Sequence, residues 1–219
     1  MKRSVFILGA LAGLAALPIA VDAAPPGQGN PTLSIAANPR PVVYGRTTVI
    51  SGKLTGKNHD NKNVTIQADR FPFERNYVNV GQDMTNSAGR YSVTLKPLVN
   101  TRFRARQGST FSPVLGVLVR IRVSFFLSDS TPESGQRVRF HGRACPQHDG
   151  ALVRFQKLNR IGLWYTVRTT VLKDIPGSTC SRYSKRFRVF RDGTWRVTVK
   201  SDGDHARGIS GRRRIDAHL

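Results

Sequence analysis

The sequence predicts an all-β chain, two antiparallel β-sandwiches in tandem behind an N-terminal signal peptide. Three observations predict it. Apolar and polar residues alternate with a period of two through most of the chain, and no stretch carries a helical period. Clusters of Gly, Pro, Asn, Asp and Ser interrupt the alternation every ~8–12 residues, as the turns between short strands do. The second half also repeats the first at an offset of about 90 residues. VISGKLTG (49–56) matches RFHGRACP (139–146), NVTIQA (63–68) matches ALVRFQ (151–156), and YVNVGQDMT (77–85) matches WYTVRTTVL (164–172). RYSVTLK (90–96) then matches RYSKRFRV (182–189), and TRFRAR (101–106) matches TWRVTV (194–199).

In chain order, Lys2 and Arg3 precede an apolar run over 5–21, and Val21-Asp22-Ala23 fits a small-residue cleavage site. Residues 1–23 therefore read as a secretory signal peptide. Residues 24–31, APPGQGNP, read as a flexible leader. The first sandwich is expected over 32–119. It opens at Leu33-Ser34-Ile35, where Pro39 and Pro41 suit an edge strand, and continues through strands at 48–54, 64–68, 77–80, 91–95, 101–106 and 114–119. From Gly116 to Ser128 the strand pattern does not break, so the boundary is placed near Arg120 and the two units should be joined stiffly.

The second sandwich is expected over 120–219, with strands at 136–145, 152–158 and 164–172, and a last one around 209–215. Between them lies the stretch 182–200, which shows the pattern most clearly. Tyr183, Phe187 and Val189 share one face while Arg186 and Arg188 take the other, and Trp195, Val197 and Val199 alternate with Arg196, Thr198 and Lys200. Arg191-Asp192-Gly193-Thr194 is the intervening turn, placed to pass between sheets.

The chain carries 35 basic and 13 acidic residues, a net charge of +22, which favours anionic partners. Arg102, Arg104 and Arg106 share the outer face of one strand, and Arg137, Arg139 and Arg143 that of another. Arg186, Arg188 and Arg196 lie outward on the 182–200 pair. These nine are the candidate anion-binding residues, since guanidinium forks suit phosphate and carboxylate groups. A second reading of the same charge stands beside this one. Arginine outnumbers lysine 26 to 9, as codon drift in a GC-rich genome would give, and outward charge guards sheet edges against aggregation. Most aromatic residues fall on inward parity, so exposed aromatics for stacking on bases are not identifiable, which weakens sequence-specific nucleic-acid binding.

Two cysteines in a secreted chain point to a disulfide between Cys145 and Cys180. Cys145 ends one strand and Cys180 precedes another, expected to be neighbours in one sheet. The alternatives are free thiols, or a metal pair of Cys145 with His148, which would need further ligands. Asp202 and Asp204 flank Gly203 ahead of His205, too few oxygen ligands for Ca²⁺, and read as a surface turn. No pair of carboxylates stands out, and there is neither a G-x-S-x-G elbow nor a phosphate-cradling glycine loop. No metal, cofactor or catalytic residue is expected.

The residues Thr85-Asn86-Ser87-Ala88-Gly89-Arg90-Tyr91 resemble the T-x-x-x-G-x-Y signature of bacterial Ig-like and carboxypeptidase-regulatory-like sandwich domains. The second copy, with W-Y-T-V, S-R-Y and D-G-T-W-R-V, is similar to Ig-like repeats of secreted actinobacterial proteins. The resemblance covers residues 32 to 216 and implies two tandem Ig-like sandwiches. Modules of this kind serve as spacers, adhesins and ligand binders. The expected function is a secreted, non-enzymatic binding or structural module, extracellular or held at the cell envelope. Its partners would be anionic polymers: cell-wall polymer, acidic polysaccharide or extracellular DNA. A secreted hydrolase or enzyme accessory domain, and an adhesin holding a protein ligand in its sandwich-end loops, are the alternatives.

Overall fold

The computed structural model describes residues 30–218, and every regular element among them is a β-strand. The expected signal peptide and most of the leader lie outside the described residues. No helix long and apolar enough to cross a membrane occurs among the described residues. In the first half the strands are β1 (Ala36–Asn38), β2 (Val42–Val43), β3 (Thr48–Lys53), β4 (Asn63–Arg70), β5 (Val78–Met84), β6 (Arg90–Leu95), β7 (Thr101–Gln107), β8 (Thr110–Phe111), β9 (Leu115–Val117) and β10 (Val119–Arg120). In the second they are β11 (Arg122–Val123), β12 (Phe126–Leu127), β13 (Arg137–Cys145), β14 (Leu152–Leu158), β15 (Trp164–Val171), β16 (Ser181–Arg188), β17 (Gly193–Val199), β18 (Gly208–Ile209) and β19 (Arg213–Ile215).

The alternation of the sequence becomes two cores. In the first, sheet β1-β3-β6 contributes Ile50 and Tyr91, and sheet β5-β4-β7, with β8 and β9 along the other edge of β7, contributes Val64, Ile66, Phe103 and Ala105. In the second, β13 pairs with β11 and β12 along one edge and with β16 along the other, bringing Val138, Phe140, Tyr183 and Phe187 inward. Sheet β15-β14-β17, edged by β18 and β19, closes this core with Phe155, Trp195 and Val197. Each buried side chain of this size stabilises by roughly 1.5–3 kcal/mol relative to exposure. The chain does change sheets between β16 and β17, because β16 pairs with β13 whereas β17 pairs with β14.

The repeat extends to irregularities. β4 against β5 shifts register between Ile66 and Gln67, and β14 against β15 shifts between Phe155 and Gln156. The Ser112 hydroxyl accepts the Ala105 amide at 2.9 Å, and the Ser210 hydroxyl accepts the Val197 amide at the same distance. The single strand expected around 209–215 proves to be two short ones, β18 and β19. The Ser210 amide still donates to the Val197 carbonyl at 2.9 Å, but the return bond from the Val197 amide goes to the Ser210 hydroxyl instead of a carbonyl, which interrupts the backbone ladder between the two strands.

The two cores meet within three residues. Val119 belongs to the first and Ile121 to the second. The loop between β17 and β18 folds back across this seam. The Ala206 amide donates to the Val119 carbonyl at 2.8 Å and the Ile121 amide to the Ala206 carbonyl at 3.1 Å. Asn100, nearly buried, donates its amide to the Asp204 carbonyl at 2.8 Å and its side-chain nitrogen to the Gly203 carbonyl at 3.1 Å. Its side-chain oxygen accepts the Val119 amide at 2.8 Å.

Candidate functional site

The antiparallel register of β13 and β16 sets Arg137 opposite Arg188, Arg139 opposite Arg186, and Arg143 opposite Arg182. All six side chains are exposed on the outer face, because the intervening Val138, Phe140 and Ala144 and the facing Tyr183 and Phe187 are buried. Pairs two residues apart along a strand are about 7 Å apart, so the six form a ladder rather than a cluster. Like charges directly opposite each other destabilise a sheet. Among the described residues, no carboxylate lies within salt-bridge distance of any of the six. The Arg188 guanidinium donates to the Gly135 carbonyl at 2.9 Å, which holds it without neutralising it. His141 sits within the ladder opposite Ser184. Burial, reinforced by the Arg139 charge, lowers its pKa and keeps the ring neutral.

Five of the nine arginines named from the sequence (Arg137, Arg139, Arg143, Arg186 and Arg188) thus lie on one face. Arg182 completes it; its outward parity is legible in the sequence, but only the register reveals it as the partner of Arg143. The other four are placed differently. Arg104 donates Nε to Gln67 Oε1 at 2.8 Å and lies 3.9 Å over the Tyr77 ring and 4.6 Å from that of Phe111. Arg196 repeats this in the second half, with Nε to Gln156 Oε1 at 2.8 Å and its guanidinium 4.2 Å over Trp164. Arg102 covers Phe73 at 4.3 Å, and Arg106 covers Phe111 at 5.6 Å. The expectation that aromatics face inward therefore fails for Phe73, Tyr77, Phe111 and Trp164. They lie outside the cores, where cation–π contact with arginine covers them. Replacing Arg104 or Arg196 with lysine is expected to destabilise the protein by about 1 kcal/mol each in chemical denaturation. A lysine keeps the charge but loses the planar stack and the fixed Nε–H bond.

The two sequence-predicted cysteines form the Cys145–Cys180 disulfide, with Cα atoms 4.4 Å apart. It closes the end of the β13–β16 pair next to Arg143 and Arg182, since Ala144 faces Ser181 in the register.

A second group of titratable side chains gathers at the seam, where the sequence predicts only a surface turn. His148, from the β13–β14 loop, and Asp202, Asp204 and His205, from the β17–β18 loop, each present one ligand atom, all within 4.8 Å of one another. His148 Nδ1 is 2.8 Å from Asp202 Oδ2, and His205 Nδ1 is 3.1 Å from Asp204 Oδ1. Burial lowers the pKa of His148 and raises that of Asp202. The cluster lines a cleft of about 430 Å³ shared with Tyr44, Phe71 and Leu98 of the first half. No recognisable motif connects His148 to Asp202 along the sequence; only the pairing of β14 with β17 brings the two loops together.

No family model matches the chain, and no curated protein matches it.

Proposed function

We propose that the protein is a secreted, non-enzymatic module of two tandem Ig-like sandwiches, spanning 32–119 and 120–219, that attaches electrostatically to anionic polymers of the cell envelope or its surroundings. The observation that carries this reading is the arginine ladder of β13 and β16: three opposed like-charge pairs with no counter-ion of their own among the described residues. Such an arrangement works against its own sheet, and a bound polyanion supplies the missing negative charge. Guanidinium groups at strand spacing present parallel N–H donors to successive phosphate, sulfate or carboxylate groups. Cell-wall polymer, acidic polysaccharide and extracellular DNA share this chemistry.

The double variant Arg139→Gln/Arg186→Gln tests it. Two effects of opposite sign are expected: retention on an immobilised acidic polysaccharide falls by about tenfold or more, while stability rises by about 0.5 kcal/mol as one repulsive pair is removed. Unchanged retention would refute the ladder as the site.

A secreted hydrolase is the second reading. It is favoured by the seam cleft, where two carboxylates and two imidazoles converge. The residues lining that cleft include no serine, threonine or cysteine, and the one hydroxyl among them is the phenol of Tyr44.

A further inference from the structure

The seam cluster poses a proton-counting problem that points to a ligand. His205 is almost fully buried, and its Nε2 lies 2.8 Å from the Leu98 carbonyl oxygen. A carbonyl only accepts, so Nε2 carries a proton, and in the singly protonated ring Nδ1 is a bare lone pair. That lone pair faces a carboxylate oxygen of Asp204 at 3.1 Å and makes no hydrogen bond. A buried ring nitrogen is then set against a carboxylate that is itself open to solvent on its other side. His148 also leaves one ring nitrogen without a partner. Its side chain is only 9% exposed, Nδ1 is 2.8 Å from Asp202 Oδ2, and Nε2 is buried with no partner. The rings meet edge to face with centroids 4.9 Å apart.

We propose that His148, Asp202, Asp204 and His205 form a binding site for a divalent transition-metal ion, with Zn²⁺ as the fitting ion. Two imidazoles and two carboxylates make a mixed nitrogen–oxygen set, which suits Zn²⁺ or Co²⁺ and offers too few oxygens for Ca²⁺ or Mg²⁺. His205 is already oriented as a ligand. Its Nε2–H is tied to a backbone carbonyl, the outer contact that fixes tautomer and ring direction in metal-binding histidines. The loop is fixed as well, because the His205 amide donates to Asp202 Oδ1 at 2.8 Å and leaves Oδ2 directed to the cluster. Ligand atoms around a tetrahedral Zn²⁺ lie about 3.4 Å apart, closer than the widest spacing here. The side chains able to close that difference are the carboxylates, which are 41% and 39% exposed, whereas the His205 ring is tied to the Leu98 carbonyl and the His148 ring is nearly buried.

The ion would also brace the joint between the halves. The loop that supplies three ligands is the one whose Gly203 and Asp204 carbonyls bind Asn100, and His205 itself binds Leu98. Metal binding and the rigidity of the seam are therefore linked.

The test is calorimetric titration of untagged, chelator-stripped full chain with ZnCl₂, repeated with CoCl₂ to read coordination from the visible spectrum. The expected result is one saturable site, a rise in Tm on adding Zn²⁺, and the absorption of a four-coordinate Co²⁺ centre. Asp204→Asn keeps the backbone contact to Asn100 and should weaken Zn²⁺ binding about tenfold or more, as should His148→Gln. His59→Gln, in the matching loop of the first half, should leave it unchanged. The proposal is overturned if no saturable binding occurs up to millimolar Zn²⁺, or if binding survives both cluster variants. It is equally overturned if NMR finds His205 doubly protonated at neutral pH in protein that does not take up Zn²⁺, because a proton then resolves the conflict alone.

Discussion

Gly142→Ala is expected to destabilise the protein by about 3 kcal/mol or more, from a change of one methyl group. Gly142 lies on β13 directly opposite Tyr183 on β16. The absence of a side chain lets the phenol cross over the strand and donate to the Ser124 carbonyl at 2.6 Å. An alanine Cβ would overlap that carbonyl oxygen and stand 2.6 Å from the Tyr183 hydroxyl oxygen. Neither neighbour yields easily. The Ser124 amide donates to the Arg143 carbonyl at 2.9 Å, the Arg143 amide donates to the Ser124 hydroxyl at 2.9 Å, and Tyr183 is fully buried. The first half contains the same device, with Gly52 opposite Tyr91 and the phenol donating to the Ser34 carbonyl at 2.5 Å. Burial raises the pKa of both tyrosines, so each phenol remains a donor at neutral pH. Tyr183→Phe removes the hydrogen bond without the clash and should lose less, about 1–2 kcal/mol. Chemical denaturation of the Gly142→Ala, Gly52→Ala and Tyr183→Phe variants checks this order. Alanine variants within about 1 kcal/mol of the parent, a generous bound for an overpacked strand, would contradict the geometry.

Reducing the Cys145–Cys180 disulfide is the other large perturbation. The bond closes a loop with a sequence separation of 35, and the chain-entropy relation assigns such a loop roughly 4 kcal/mol. The bond also holds together the two strands that carry the opposed arginines. The loss should therefore be larger at low ionic strength, where the Arg143–Arg182 repulsion is unscreened, and smaller at high salt. Urea unfolding of the Cys145→Ala/Cys180→Ala variant at two salt concentrations measures both effects. In hydrogen exchange, β13 and β16 should lose protection before β4 and β7, which carry no disulfide. A variant as stable as the parent, or one whose loss grows with salt, would contradict this coupling.

The two sets of residues differ in how far the sequence reveals them. The period of two places Val64, Ile66, Phe103, Val138 and Val197 in the cores, because in a strand parity alone decides which face is buried. Outward parity likewise identifies nine arginines. Parity says nothing about what lies across the strand, so it does not separate opposed arginines from those stacked on Tyr77 or Trp164. Those aromatics escape a parity reading because they stand at strand ends and edges, where a guanidinium plane supplies the cover that a core would otherwise give. The seam cluster is the least legible. Asp202, Asp204 and His205 form a short polar run like any exposed turn. Their meaning depends on His148 arriving from another loop and on Leu98 fixing the His205 proton, both properties of the assembled fold. The T-x-x-x-G-x-Y segment, by contrast, points to a working part: Tyr91 is the phenol that crosses over Gly52.

The proposal that unpaired arginines on β13 and β16 hold a polyanion stands or falls on the salt dependence of binding. Affinity for a sulfated polysaccharide should fall linearly with the logarithm of salt concentration as counter-ions are released. Replacing Arg137, Arg139, Arg186 and Arg188 together with glutamine should flatten that slope in proportion to the number of sulfate groups those arginines neutralise. A slope that is unchanged in this variant, or an affinity indifferent to salt, would contradict the proposal.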